Sequence, residues 1–176
     1  PFIDGSPLGR GCNRMDWAPD GSLFVGQTKH TWAGGQGIQR VSWNGKIPFE
    51  IQNMELSEKG FTFTFTQPVD KKSALQKENW PFKRYFFEYR QAYGSPRSDE
   101  MEVEISKIEI SGDGKIVKIS LSELQPWHIH EVNIQNLKTQ NGTPLSNGYI
   151  AYTLNRLHGE TPPDPLQIKI EPKKKS

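Results

Sequence analysis

The stretch Phe61-Thr62-Phe63-Thr64-Phe65-Thr66-Gln67-Pro68-Val69-Asp70 decides the fold class. Phenylalanine and threonine alternate, so a strand here sets every ring on one face and every hydroxyl on the other. Aromatic and β-branched residues suit such a half-buried, pleated surface. Downstream, Asp70 is placed to cap one or two helical turns within Asp70 to Asn79, the single segment with a helical pattern.

Working outward, the same alternation recurs in Val117, Ile119 and Leu121, in Val132 and Ile134, and in Ile150, Tyr152 and Leu154. In Met101 to Ile110 the apolar set changes phase, from Val103 and Ile105 to Ile108 and Ile110, which calls for a bulge or a change of sheet near Ser106-Lys107. Asp4-Gly5, Asp20-Gly21, Asn44-Gly45, Asp113-Gly114, Asn141-Gly142 and Asn147-Gly148 are turn dipeptides that tolerate positive φ. Ile108 to Leu121 is expected to form a hairpin turning at Ser111-Gly112-Asp113-Gly114. Many short strands and almost no helix predict a sandwich of two antiparallel sheets over residues 47–157, about 110 residues, the size of an immunoglobulin-like unit. Residues 1–46 are glycine-rich and hold two candidate strands, Ser22 to Gly26 and Ile38 to Trp43. Residues 158–176 read as an extended Pro- and Lys-rich tail.

Composition removes several function classes. The chain has 176 residues and a formal charge of +2. Lys173, Lys174 and Lys175 lie in the tail, and removing those three from the +2 total leaves −1. A near-neutral body lacks the phosphate-neutralising surface that nucleic-acid binding requires. Hydrophobic residues make up 34% of the chain and aromatic residues 11%, so a core must form from few but large side chains. No apolar run approaches the ~18 residues of a membrane-spanning helix. Cys12 is the single cysteine, which excludes an internal disulfide, a multi-cysteine zinc site and a C-x-x-C-H haem attachment. The chain opens at Pro1 without a methionine or a signal peptide, so a mature or excised piece is expected.

Two family resemblances rest on quotable residues. Gly11-Cys12-Asn13-Arg14-Met15-Asp16-Trp17-Ala18-Pro19-Asp20-Gly21-Ser22-Leu23-Phe24-Val25-Gly26 resembles a β-propeller blade of the sugar/sorbosone dehydrogenase type: a strand entering at Asn-Arg, then a PDG hairpin into the next strand. With Trp43-Asn44-Gly45-Lys46-Ile47-Pro48-Phe49-Glu50-Ile51 it is similar to the C-terminal end of large secreted bacterial propeller proteins. The stretch from Phe61 to Asp70 resembles the "FxFxxPVD" strand of bacterial Ig-like modules. Ile108 to Leu121, the Leu124-Gln125-Pro126 turn, and Asn136 to Leu145 match later features of that module, with Asn136 where glycine is usual. Together the resemblances imply an all-β chain: a partial propeller-blade-like β-meander over 1–46, an Ig-like antiparallel β-sandwich over 47–157, and the tail.

What they imply about function is a non-catalytic accessory or interaction module of an exported protein, periplasmic or extracellular, serving docking or carbohydrate contact. The alternative is the terminal part of a quinone-dependent sugar dehydrogenase-like enzyme whose active site lies in other blades. No catalytic residue, cofactor or metal is assigned to this chain. The expected partners are the rest of the parent propeller, carbohydrate, and a second copy through exposed aromatics. Trp17, Trp32 and Trp43 exceed what a hairpin buries by itself and are expected to pack on the sandwich or on that second copy.

In the propeller resemblance Asn13 and Arg14 sit near the funnel face, where an Arg fork can hold a carboxylate or quinone oxygen, or pin neighbouring blades. His30 and Trp32, in the glycine-rich loop, are the other substrate-facing candidates. His128 and His130, two residues apart, share a strand face with Glu131 opposite. They read as an edge or sheet-surface pair rather than metal ligands. Cys12 reads as a small hydrophobe rather than a nucleophile. Trp80, Phe82, Tyr85, Phe86, Phe87, Tyr89 and Tyr93 form an aromatic series able either to stack on pyranose rings or to fill the core, and the core is the expected use. Asn141-Gly142-Thr143 fits a glycosylation acceptor and equally a plain turn.

Overall fold

The computed structural model describes residues 8–9, 11–28 and 35–161. The chain divides into two compact units, Pro1–Pro48 and Phe49–Ser176. His30, Trp32 and the tail from Pro162 onward lie outside the described residues.

In the first unit, β1 (Cys12–Trp17), β2 (Leu23–Gln27) and β3 (Gly37–Val41) form an antiparallel meander in the order β1-β2-β3. Its tight turn follows from Pro19-Asp20-Gly21-Ser22. The Asp20 carboxylate accepts from the Ser22 amide (3.0 Å) and hydroxyl (2.7 Å), Gly21 sits at φ 79°, and Arg40 of β3 closes over Asp20. The third strand ends at Val41, short of Trp43. The reason is local: the Trp43 indole N–H donates to the Lys46 carbonyl (3.0 Å) and the Asn44 side chain accepts from the Lys46 amide (3.0 Å), which bends the chain away from the sheet. Trp17 and Trp43 are exposed.

The second unit is the Ig-like sandwich. One sheet has the order β4-β5-β9-β8: β4 (Ile51–Ser57), β5 (Gly60–Phe65), β9 (Ile116–Leu121) and β8 (Ile105–Ile110). The other has the order β11-β10-β6-β7: β11 (Tyr149–Leu154), β10 (His128–Asn133), β6 (Phe82–Phe87) and β7 (Arg97–Val103). All neighbours are antiparallel. Read in chain order, these two sheets are the A-B-E-D and G-F-C-C′ layers of the immunoglobulin sandwich.

Phe61, Phe63 and Phe65 carry the core, all fully buried on the inner face of β5. Phe61 stacks on Phe82 (centroids 6.0 Å) and meets Tyr152 (5.3 Å), while Phe63 and Phe65 meet Trp80 at 5.3 and 6.4 Å. Asp70 caps α1 (Lys71–Ala74) by accepting from the Ser73 amide at 2.9 Å, and the Trp80 indole donates to the Ala74 carbonyl at 2.9 Å. This short helix and the 3₁₀ turn Lys77–Asn79 thus close one end of the core.

The phase change in 101–110 has both expected causes: the chain passes from one sheet to the other at Glu104, and β8 bulges between Ile105 and Lys107. The β8–β9 hairpin turns at Ser111–Gly114, where the Asp113 carboxylate accepts from the Lys115 amide (3.0 Å). Asn136 adopts φ 53°, a conformation asparagine tolerates where glycine is the usual choice. Gly60 is fixed by close approach, since a Cβ there would lie 2.0 Å from the Ile119 carbonyl oxygen. Asn141-Gly142-Thr143 forms a turn in which the Gly142 amide donates to the Thr139 carbonyl (2.9 Å).

Replacing Phe61 removes a ring that bridges both sheets. Phe61→Ala is expected to cost about 3–5 kcal/mol in equilibrium denaturation. A loss under about 1 kcal/mol would mean the sheets do not depend on it.

Candidate binding site

The outer face of the β11-β10-β6-β7 sheet follows from strand alternation. Tyr85 pairs with Ile129, Ile129 with Thr153, and Glu131 with Ala151, so these residues share the face opposite Phe82, Val132 and Leu154. Phe87 joins Tyr85 there, with ring centroids 5.3 Å apart.

At one end of this face lies a groove of about 650 Å³ lined by Phe86, Phe87, Glu88, Tyr89, Trp127, Ile129 and Thr153. The groove is shallow and open to solvent. Phe87, Tyr89 and Trp127 are exposed, and Trp127 is 74% accessible. Trp127 also adopts φ 64° in the turn it forms with Pro126. The left-handed position after a turn proline normally goes to Gly or Asn. A tryptophan there carries about 1–3 kcal/mol of backbone strain with no burial to offset it.

A polar cluster supports the Trp127 turn. His128, next in sequence, places Nδ1 2.9 Å from the Pro126 carbonyl oxygen and Nε2 3.0 Å from an Asp99 carboxylate oxygen, with the edge of its ring against Phe86 (5.2 Å). Asp99 stands at φ 52° and also bonds the Arg84 guanidinium, which donates to Glu123 at 2.7 Å. Hydrogen bonds from Arg84 first, and from His128 next, hold the Asp99 carboxyl below the usual carboxylate range.

Along the same outer face, Glu131 accepts from Tyr85 (3.0 Å), Tyr149 (2.9 Å) and Arg97 (2.8 Å), and the Arg97 guanidinium lies 4.0 Å from the centre of the Tyr85 ring. Burial opposes ionisation of Glu131, but the hydrogen bonds from Tyr149, Tyr85 and Arg97 outweigh it and lower its pKa. Burial first, and Glu131 second, push the Tyr85 hydroxyl up to about 12.

The sequence candidates distribute as follows. Asn13 and Arg14 are exposed on β1, at the point where its register against β2 breaks between Cys12 and Arg14. Cys12 is exposed, its thiol donating to the Gly9 carbonyl at 3.4 Å. The expectation of a surface histidine pair is corrected. β10 lies between β6 and β11 and so is no edge, and His130 shares the inner face with Val132 and packs on Phe61; both histidines are buried. The aromatic series divides: Trp80, Phe82 and Tyr85 are buried, while Phe87, Tyr89 and Tyr93 are exposed. The sequence reading passed over Trp127 as a ligand contact. Its signal was the Pro126-Trp127 pair, a turn lacking the glycine that turn geometry favours. Among the described residues no His, Cys, Asp and Glu group of three is arranged to hold a metal, and no helix is long and apolar enough to cross a membrane.

No family model matches this chain, and no curated protein matches it. Among solved structures it is similar to the bacterial S-layer protein SbsC. A large SbsC structure aligns at 20% identity and a TM-score of 0.46, over 62% of this chain and 14% of that one. The N-terminal part of SbsC aligns with the same identity and TM-score, over 62% of this chain and 24% of its own.

His130 makes a pH prediction. It is fully buried, its Nδ1 has no partner, and burial lowers its pKa from 6.5 to about 4. The unfolded chain therefore takes up this proton first as the pH falls. Stability is complete above about pH 6.5 and declines toward pH 4, by about 3 kcal/mol from this group. Denaturation midpoints at pH 7 and pH 4.5 should differ less in His130→Leu than in the parent; an identical pH dependence contradicts this assignment.

Proposed function

We propose that the protein is a non-catalytic interaction module of an exported, periplasmic or extracellular propeller protein, and that it contacts carbohydrate through the Trp127 groove. One observation carries the reading: a strained turn holds a 74% accessible tryptophan beside exposed Phe87 and Tyr89. Strain and apolar exposure both act against stability, and such costs concentrate where a ligand is bound.

The chemistry of the groove suits a sugar. Aromatic faces pack against the C–H faces of pyranose rings, and the groove sets three exposed rings beside the polar Glu88 and Thr153 side chains. The charged groups behind it are engaged with one another. Arg84 is spent on Asp99 and Glu123, and His128 lies between Asp99 and the Pro126 carbonyl, so these groups fix the turn that presents the indole. The PDG hairpin and the Ig-like stretch support the wider setting, a sandwich appended to a sugar/sorbosone dehydrogenase-like propeller.

Trp127→Gly separates ligand binding from stability. Calorimetric titration with soluble cello-, xylo-, manno- and chito-oligosaccharides should detect binding of at least one series by the parent. Trp127→Gly should weaken it more than about tenfold while keeping stability equal or raising it by about 1 kcal/mol. No binding by the parent, or unchanged affinity in Trp127→Gly, overturns the reading.

A further inference from the structure

The four edge strands of the sandwich are not treated alike. β4 carries Glu55 and a register break between Ile51 and Asn53. β7 carries Arg97, Asp99, Glu100 and Glu102, with its own break in register against β6. β8 carries Lys107, Glu109 and a bulge. Charges and bulges of this kind keep an edge from recruiting another strand. β11 has neither. Tyr-Ile-Ala-Tyr-Thr-Leu is uncharged, has no proline, and pairs with β10 in unbroken register from Tyr149 to Leu154. Among the described residues it ends its sheet.

The direction of its backbone groups is fixed by parity. Gly148 accepts from Ile134, and Leu154 accepts from Trp127, so even-numbered residues turn their polar groups toward β10. Backbone direction alternates along a strand, so Tyr149, Ala151 and Thr153 turn their N–H and C=O groups to the open edge. On the inner face beside that edge, Ile150 and Tyr152 pack on the core yet stay half-buried, as do Ile51, Met54 and Leu56 of β4.

We propose that the edge of β11 is a strand-acceptor site, occupied in cis by Leu166-Gln167-Ile168-Lys169-Ile170 of the same chain. This five-residue run alternates apolar and polar, and the prolines at 162, 163, 165 and 172 bracket it. Laid antiparallel on β11, it sets Leu166, Ile168 and Ile170 over Ile150 and Tyr152 and leaves Gln167 and Lys169 to solvent. The connection from Asn155 to Pro165 is eleven residues. Fully extended it reaches about 36 Å, ample for a return beside a strand of about 20 Å. So short a tether gives the segment an effective concentration in the millimolar range, which favours its own edge over a neighbour's. The inference is independent of the carbohydrate reading.

The test is amide hydrogen exchange by NMR on the full chain. The Ala151 and Thr153 amides should be protected at every protein concentration. In the double variant Ile168→Asp, Ile170→Asp they should exchange more than about tenfold faster. The Ile150 and Tyr152 amides, which face β10, should stay protected in that variant, showing the sandwich is intact. Free exchange of Ala151 and Thr153 in the parent overturns the proposal. So does protection that vanishes on dilution, which would place the strand in a second copy.

Discussion

The Phe61 ring is the contact on which the sandwich depends. From β5 it reaches Phe82 on β6, His130 on β10 and Tyr152 on β11, so one side chain ties one sheet to three strands of the other. In immunoglobulin domains a disulfide spans the corresponding pair of strands. With its single cysteine in the first unit, this sandwich sets Phe61 against His130 there instead, at 5.7 Å. Burial then favours the neutral form of His130, whose Nδ1 has no hydrogen-bond partner.

That constraint propagates outward along β10. His130, Val132 and His128 take the inner face, so Ile129 and Glu131 must take the outer one. Glu131 then gathers Tyr85, Tyr149 and Arg97, while Ile129 becomes part of the groove floor. At the N-terminal end of the same strand, His128 and Asp99 hold the turn that projects Trp127. The rigid core and the exposed indole are thus two ends of one strand's alternation.

Much of this was legible in the sequence. The Phe-Thr alternation, the Asp70 cap, the Ser111–Gly114 turn and the irregularity near Ser106-Lys107 all follow from local pattern, which acts at short range. What was not legible depends on partners far along the chain. Tyr85 is buried on an outer face because Arg97 and Glu131 cover it. The histidine pair is internal because its face of β10 packs against Phe61 of the opposite sheet, a contact between residues far apart in the chain. Trp127 adopts left-handed backbone against its residue type, and only the surrounding contacts impose that.

The groove beside Trp127 is the proposed ligand contact of this fold. The most direct measurement is a chemical-shift map of the isotope-labelled chain titrated with soluble cello-, xylo-, manno- and chito-oligosaccharides. The account predicts saturable shifts confined to Phe86–Tyr89, Trp127, Ile129 and Thr153, with the Trp127 indole N–H among the largest. Shifts centred on β1–β3 or on the Glu131 cluster, with the Trp127 indole unmoved, would contradict it.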